Sequence, residues 1–234
     1  MAKEDGILTQ FNSLFNLLRK LFEEKNYYSL RKTFSDPQND MKELLLHSCC
    51  APCSGAIIEW LLANGYRPTV FFFNPNITPK DEYEKRKTEL VRFCEKHALT
   101  VIDGDYDHEK WLAAVRGLEH EPERGKRCEV CFNLRLRAAA RVCKELGLET
   151  FTTSLASSRW KDLEQVNRAG KLAAQEHGVA FWDKNWRKGG LQERRNAIIR
   201  EEAFYNQTWC GYEFSRQAME SKAKEKILSE NGSC

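Results

Sequence analysis

Two short cysteine clusters define the chemistry open to this chain. Cys49-Cys50-Ala51-Pro52-Cys53 follows an apolar run, and Cys128-Glu129-Val130-Cys131 opens a helical pattern about eighty residues later. Iron–sulfur clusters are usually held by four thiolates, and a structural zinc commonly takes four ligands as well. Cys49, Cys50, Cys128 and Cys131 supply that number, with Cys53 left over. The first cluster has adjacent cysteines in place of the Cys-x-x-Cys knuckle of a zinc ribbon. A fifth thiol beside a complete set points to catalysis.

Nine cysteines is an odd count, and Met1-Ala-Lys-Glu-Asp-Gly6 is no charged-then-apolar leader. No apolar run approaches the roughly 20 residues that span a bilayer. The expected location is therefore the cytoplasm, where thiols stay reduced and clustered cysteines bind metal or do catalysis. A chain of 234 residues with 41% apolar content can bury a sizeable core.

The elements that must position the clusters follow from hydrophobic periodicity. Apolar residues at helical spacing from Ile7 to Phe22 predict a helical N-terminal extension over residues 7–34, and Ser35-Asp-Pro-Gln-Asn-Asp40 reads as a linker. Residues 41–234 then form the α/β catalytic domain, with a C-terminal helical segment. Short apolar runs at Leu44–His47, Thr69–Phe73, Leu99–Ile102, Thr150–Ser154 and Val179–Trp182 suit strands buried on both faces of a parallel sheet. Helical patterns at Pro79–His97, Glu129–Leu146 and Lys161–His177 separate them. The expected fold is α/β, a Rossmann-like, mostly parallel sheet with helices on both faces. Ligands in such folds bind beyond the carboxyl ends of the strands. Cys49, Cys50 and Cys53 fall just after the first strand, with Ser54 expected to cap the next helix. Cys128 and Cys131 open another helix, whose N-terminus, with Lys126 and Arg127, is expected to lower thiol pKa.

Net charge is only +3, far from a dedicated nucleic-acid binder. Its distribution is uneven: between Lys184 and Arg200 there are six basic residues against the single acid Glu193, with Trp182 and Trp186 alongside. Cations interleaved with aromatics neutralise phosphates and stack on unpaired bases, or else form a solvated face anchored by tryptophans. The other thiols divide. Cys94 and Cys143 sit on apolar helix faces and read as packing residues, whereas Cys210, beside the turn-forming Gly211, reads as a reactive thiol.

Six motifs occur in order: His47-Ser-Cys-Cys-Ala-Pro-Cys53, Phe73-Asn-Pro-Asn-Ile77, Glu82-Tyr-Glu-Lys-Arg86, Arg127-Cys-Glu-Val-Cys131, Thr152-Thr-Ser-Leu155 and Trp209-Cys-Gly211. Over about Leu44 to Ser215 the chain resembles the cobalamin-independent epoxyqueuosine reductase family (QueH type). The resemblance implies reduction of the epoxide of epoxyqueuosine in the anticodon loop of tRNA to an alkene, with oxygen leaving as water, as the last step of queuosine synthesis. It implies a 4Fe-4S cluster on Cys49, Cys50, Cys128 and Cys131, and an adjacent mononuclear iron within reach of Cys53. It also implies a tRNA partner and a cellular electron donor, with no membrane. Where the family commonly has Cys-Gly-Cys, this chain has Cys210-Gly211-Tyr212, so a disulfide between those two positions is impossible here.

Within that reading, Cys53 and Cys210 are catalytic candidates, and proton donors are sought among Asp103, Asp105, Tyr106 and Asp107, with Asp105 the chosen one. Acidic residues after a strand also serve as ordinary caps. Expected tRNA contacts are Arg127, Arg135, Arg159, Lys161, Arg187, Lys188, Arg194 and Arg195. Trp160 either stacks on a base or packs in the core. Two other classes compete. A nucleotide-using tRNA enzyme lacks support, because neither a Gly-x-Gly-x-x-Gly nor a Gly-x-x-x-x-Gly-Lys-Ser/Thr loop occurs. A tRNA- or nucleotide-binding module with a structural four-cysteine zinc needs no fifth thiol.

Overall fold

The computed structural model describes residues 41–216. The helical extension, the linker and the end of the chain lie outside the described residues. Five strands run in the order β1 (Lys42–Ser48), β2 (Tyr66–Phe72), β3 (Val101–Asp103), β4 (Thr150–Thr153) and β5 (Ala180–Phe181). Between and after them come α1 (Ala51–Ala63), α2 (Lys80–Lys96), α3 (His108–Ala114), α4 (Lys126–Glu145), α5 (Leu163–His177) and α6 (Leu191–Glu201). The sheet is parallel throughout, in the order β3-β2-β1-β4-β5.

Leu44, Leu45 and Leu46 are all buried, because consecutive residues of β1 point to opposite faces and both faces are covered. Helix α1 packs on α2 and α6, and α4 packs on α5. Right-handed crossovers running from β1 through α1 and α2 to β3 in one direction, and from β4 through α5 to β5 in the other, put α1 and α2 on the face opposite α5. The α/β expectation is therefore met. All five expected strands are present within two or three residues of their expected bounds, whereas the short helix α3 was not anticipated.

Two starts differ from expectation. Helix α1 begins at Ala51 with Cys50 as its N-cap and Pro52 in its first turn, the position where proline loses no hydrogen bond. Ser54 lies inside that helix, paired with Ser48 through their hydroxyls at 2.6 Å. Helix α5 begins at Leu163, where the Asp162 side chain accepts from the Gln165 amide at 3.0 Å. That leaves 158–161 as a turn outside the helix. Among the described residues no helix is long and apolar enough to cross a membrane.

The face carrying α5 is closely packed: a β-carbon on Gly170 would overlap the Phe181 ring. Gly170→Ala is expected to cost a net ~1–2 kcal/mol despite alanine's better helix propensity. Denaturant unfolding checks this by a lowered midpoint at constant slope, and an unchanged midpoint contradicts the packing described.

Candidate active site

The order 3-2-1-4-5 reverses direction at β1, so the crevice of the sheet opens between the carboxyl ends of β1 and β4. The first cysteine cluster sits there. Beyond β1 the Cys49 amide donates to Ser154 Oγ at 3.0 Å, joining it to the turn that follows β4. The sulfurs of Cys49, Cys50 and Cys53 lie within 4.8 Å of one another, with Cys49 and Cys50 3.8 Å apart. Behind them His47 is fully buried, between Thr153 Oγ1 at 2.8 Å and the Phe73 carbonyl at 3.2 Å. Thr153 Oγ1 accepts from the Leu155 amide, so its hydroxyl proton is free to go to His47 Nδ1 while Nε2–H faces the carbonyl. Burial foremost, and then Arg135, lowers the His47 pKa to about 3, so the ring is neutral.

A cleft of about 910 Å³, within the usual size for a small-molecule pocket, is lined by Cys49, Cys53, Arg135, Lys161 and Cys210. Cys128 and Cys131 line an adjoining recess that shares Arg135, Lys161 and Cys210 with it. Five candidate thiols and Cys210 thus meet in one region.

Four sulfurs accept hydrogen bonds from non-cysteine groups. Ser154 Oγ donates to Cys49 at 3.3 Å, Gln207 Nε2 to Cys50 at 2.7 Å, the Arg124 amide to Cys128 at 3.3 Å, and Lys161 Nζ to Cys210 at 3.2 Å. Arg135, buried, donates to the Phe73 carbonyl at 3.4 Å and to Asn74 Oδ1. Neither Arg135 nor half-buried Lys161 takes a carboxylate among these partners, and a buried cation such as Arg135 without a counter-charge is costly. The charge balance therefore asks for anions, and thiolates are the anions at hand.

Cys49 is the first to supply one. Hydrogen bonds from Cys50 and Cys53 hold its pKa well below the ordinary thiol value, with Arg135 and Ser154 helping against burial. Burial foremost raises Cys50, and its bond to Cys49 raises Cys53 to about 12. Burial opposes the Lys161 charge, but the Cys210 and Cys49 sulfurs outweigh it and raise its pKa. The expectation of a lowered pKa at the second cluster is not met for Cys128, which burial pushes up to about 11. Soft sulfur donors facing buried cations suit an anionic iron–sulfur group.

Cys210 owes its position to its neighbours. Gly211 has φ +112 and a β-carbon there would lie 2.9 Å from Ile77, so the turn requires glycine. Tyr212, which stands where a second thiol was expected from the resemblance, is buried against Trp111. Its hydroxyl accepts from Arg127 Nη2 and donates to Glu123 Oε1, both at 3.2 Å. This position anchors the loop instead of carrying redox chemistry.

The remaining expectations are sorted by burial and partners. Asp105 is exposed and is not among the residues lining the cleft; Asp103 accepts from Tyr83 and Lys87, and Asp107 caps α3. Arg127 is buried, spent on the Leu118 and Glu119 carbonyls and on Tyr212. Arg194 is held by Glu59 at 2.6 and 2.8 Å and by Glu201 at 2.8 Å. Arg194 is thus held by two carboxylates, while Arg127 and Arg135 are buried yet line the cleft. Arg195 lines the cleft, Arg159 and Lys188 are exposed, and Arg187 donates to the Lys161 carbonyl at 2.9 Å. Trp186 is buried and donates to Thr152, with Lys184 over the rings of Trp60 and Trp186, so these aromatics anchor the fold. Ser154 stood in a quoted motif, whereas Gln207 carried no pattern that marked it.

The comparisons bear on the same residues. The family model for "Epoxyqueuosine reductase QueH" matches residues 44–218. An epoxyqueuosine reductase QueH of Histophilus somni is 46% identical over 79% of this chain and 78% of its own length. One of Acinetobacter baylyi is 48% identical over 76% of this chain and 82% of its own. Among solved structures, the U34-tRNA thiolase NcsA of Methanococcus maripaludis with its 4Fe-4S cluster aligns at a TM-score of 0.46 and 14% identity, over 89% of this chain and 73% of its own. With the matched span enclosing both cysteine clusters and the Cys210 turn, this chain belongs to the epoxyqueuosine reductase QueH family.

Proposed function

We propose that this chain reduces the epoxide of epoxyqueuosine in tRNA to the alkene of queuosine. Two electrons and two protons are consumed and the oxygen leaves as water, with a cellular one-electron carrier as reductant. The observation that carries this reading is the meeting of the thiols with Arg135 and Lys161 in one cleft at the sheet's switch point. Family membership supports the substrate.

In this reading Cys49, Cys50, Cys128 and Cys131 hold a 4Fe-4S cluster, and Cys53 reaches an adjacent mononuclear iron. Bound there, these groups supply electrons singly and Lewis acidity toward the epoxide oxygen. The chain's own residues do the rest. Ser154, Gln207 and the Arg124 amide hydrogen-bond the ligand sulfurs, the kind of contact that tunes reduction potential. Lys161 Nζ, half-buried and charged beside Cys210, presents a proton to an oxygen gaining negative charge, the role expected of Asp105. Cys210, lacking a second thiol at position 212, acts as a single sulfur facing that ammonium. Arg159, Arg187, Lys188 and Arg195 draw the tRNA phosphates to the cleft, and the modified base is turned out of its loop into it. A cytoplasmic site of action fits thiols that must stay reduced.

Substitutions separate these roles. Cys128→Ala should lose iron, sulfide and activity, whereas Cys94→Ala should keep all three at a modest stability cost; full cluster absorbance in Cys128→Ala would remove it from the ligand set. Cys53→Ala should retain cluster absorbance and lose turnover, and normal turnover would exclude it from catalysis. Affinity for tRNA should fall roughly 10- to 100-fold between about 50 and 200 mM salt. Lys188→Ala should lower that salt slope by about one while Arg194→Ala leaves it unchanged; a flat salt response in the parent chain would contradict the phosphate contacts.

A further inference from the structure

We infer that Trp160 is a stacking platform for an unpaired base of the substrate RNA, a neighbour of the nucleotide that enters the cleft. This deepens the tRNA reading above and rests on it. Trp160 is 77% exposed, far beyond Leu146 at 43% and Leu172 at 49%, the other exposed large apolar side chains among the described residues. Those two do not line the cleft, and Trp160 does. The chain has six tryptophans, and the other five each pack on a ring or under an arginine.

The exposure is built into the backbone. Arg124 donates to the Trp160 carbonyl at 3.2 Å and to the Arg159 carbonyl at 2.9 Å. The Trp160 amide donates to Ser158 Oγ at 3.3 Å, and Arg187 holds the next carbonyl, that of Lys161, at 2.9 Å. Arg124 is itself fixed, at φ +69, with its amide on Cys128 Sγ and its carbonyl accepting from Gln165 at 2.7 Å. A large indole lining the cleft, with exposed Arg159 next to it in the chain and Arg195 on the same lining, offers a flat apolar face where a nucleotide's phosphates find cations. Bases are the partners that satisfy both, because stacking is indifferent to base identity and favours single strands.

The test uses anaerobically purified, cluster-loaded protein and an anticodon stem-loop RNA carrying 2-aminopurine beside the wobble position. Trp160→Ala should raise Kd roughly 5- to 150-fold and abolish quenching of the 2-aminopurine, while Trp160→Phe keeps most of both. The salt slope and cluster absorbance should match the parent, because stacking neutralises no phosphate. A Kd within about two-fold of the parent with quenching intact would overturn the inference and leave the tRNA reading standing. A changed salt slope or lost cluster would also overturn it, by assigning Trp160 a structural role. A parent chain that fails to bind the stem-loop would overturn both.

Discussion

Arg135 is buried without a carboxylate among its hydrogen-bond partners, half-buried Lys161 lines the same cleft, and the cleft is arranged around that charge. Arg135 is spent on a carbonyl and an amide oxygen, and Lys161 on a sulfur. Burying such a cation is tolerable only where anions face it. Thiolates answer the requirement, since metal binding and negative charge select the same form of cysteine. The cost of the buried charge and the state of the thiols are thus linked, and thiolate sulfurs meet both.

The fold delivers the parts of this arrangement from separate places in the chain. β1 ends in the first cysteine cluster, β4 in Ser154, and α4 begins with the second cluster, so three connections converge at one edge of the sheet. Reversal of the strand order at β1 opens the crevice where they meet. The turn at Gly211 adds Cys210 from the far end of the described chain, and Tyr212 locks it through Arg127 and Glu123. Tyr212 thus anchors the turn that presents Cys210.

Much of this was legible in the sequence, for identifiable reasons. Strands buried on both faces leave continuous apolar runs, so Leu44–His47 and Thr69–Phe73 announced the parallel sheet, and the close spacing of Cys49, Cys50 and Cys53 announced sulfurs that lie within 4.8 Å of one another. What stayed hidden depends on side-chain direction and tertiary partners. Arg127, Arg135 and Arg194 look like any surface arginine in a string of letters, yet the first two turn inward and the third is taken by Glu59 and Glu201. Asp105 follows a strand as a catalytic acid would, but the loop turns it to solvent. Gln207 reaches Cys50 across 157 residues, a contact no local pattern encodes. Trp160 differed from a core tryptophan only in where helix α5 starts, two residues later than its periodicity suggested.

The central claim is that these thiols and buried cations hold an iron–sulfur group. The most direct test is the iron, acid-labile sulfide and zinc content of the full chain purified without oxygen, with its absorption spectrum before and after a low-potential reductant. The account predicts about four sulfides per chain with iron in excess of them, and a charge-transfer band that bleaches on reduction. Stoichiometric zinc in a colourless protein would contradict it, and would leave the cleft a structural metal site with no electrons to give.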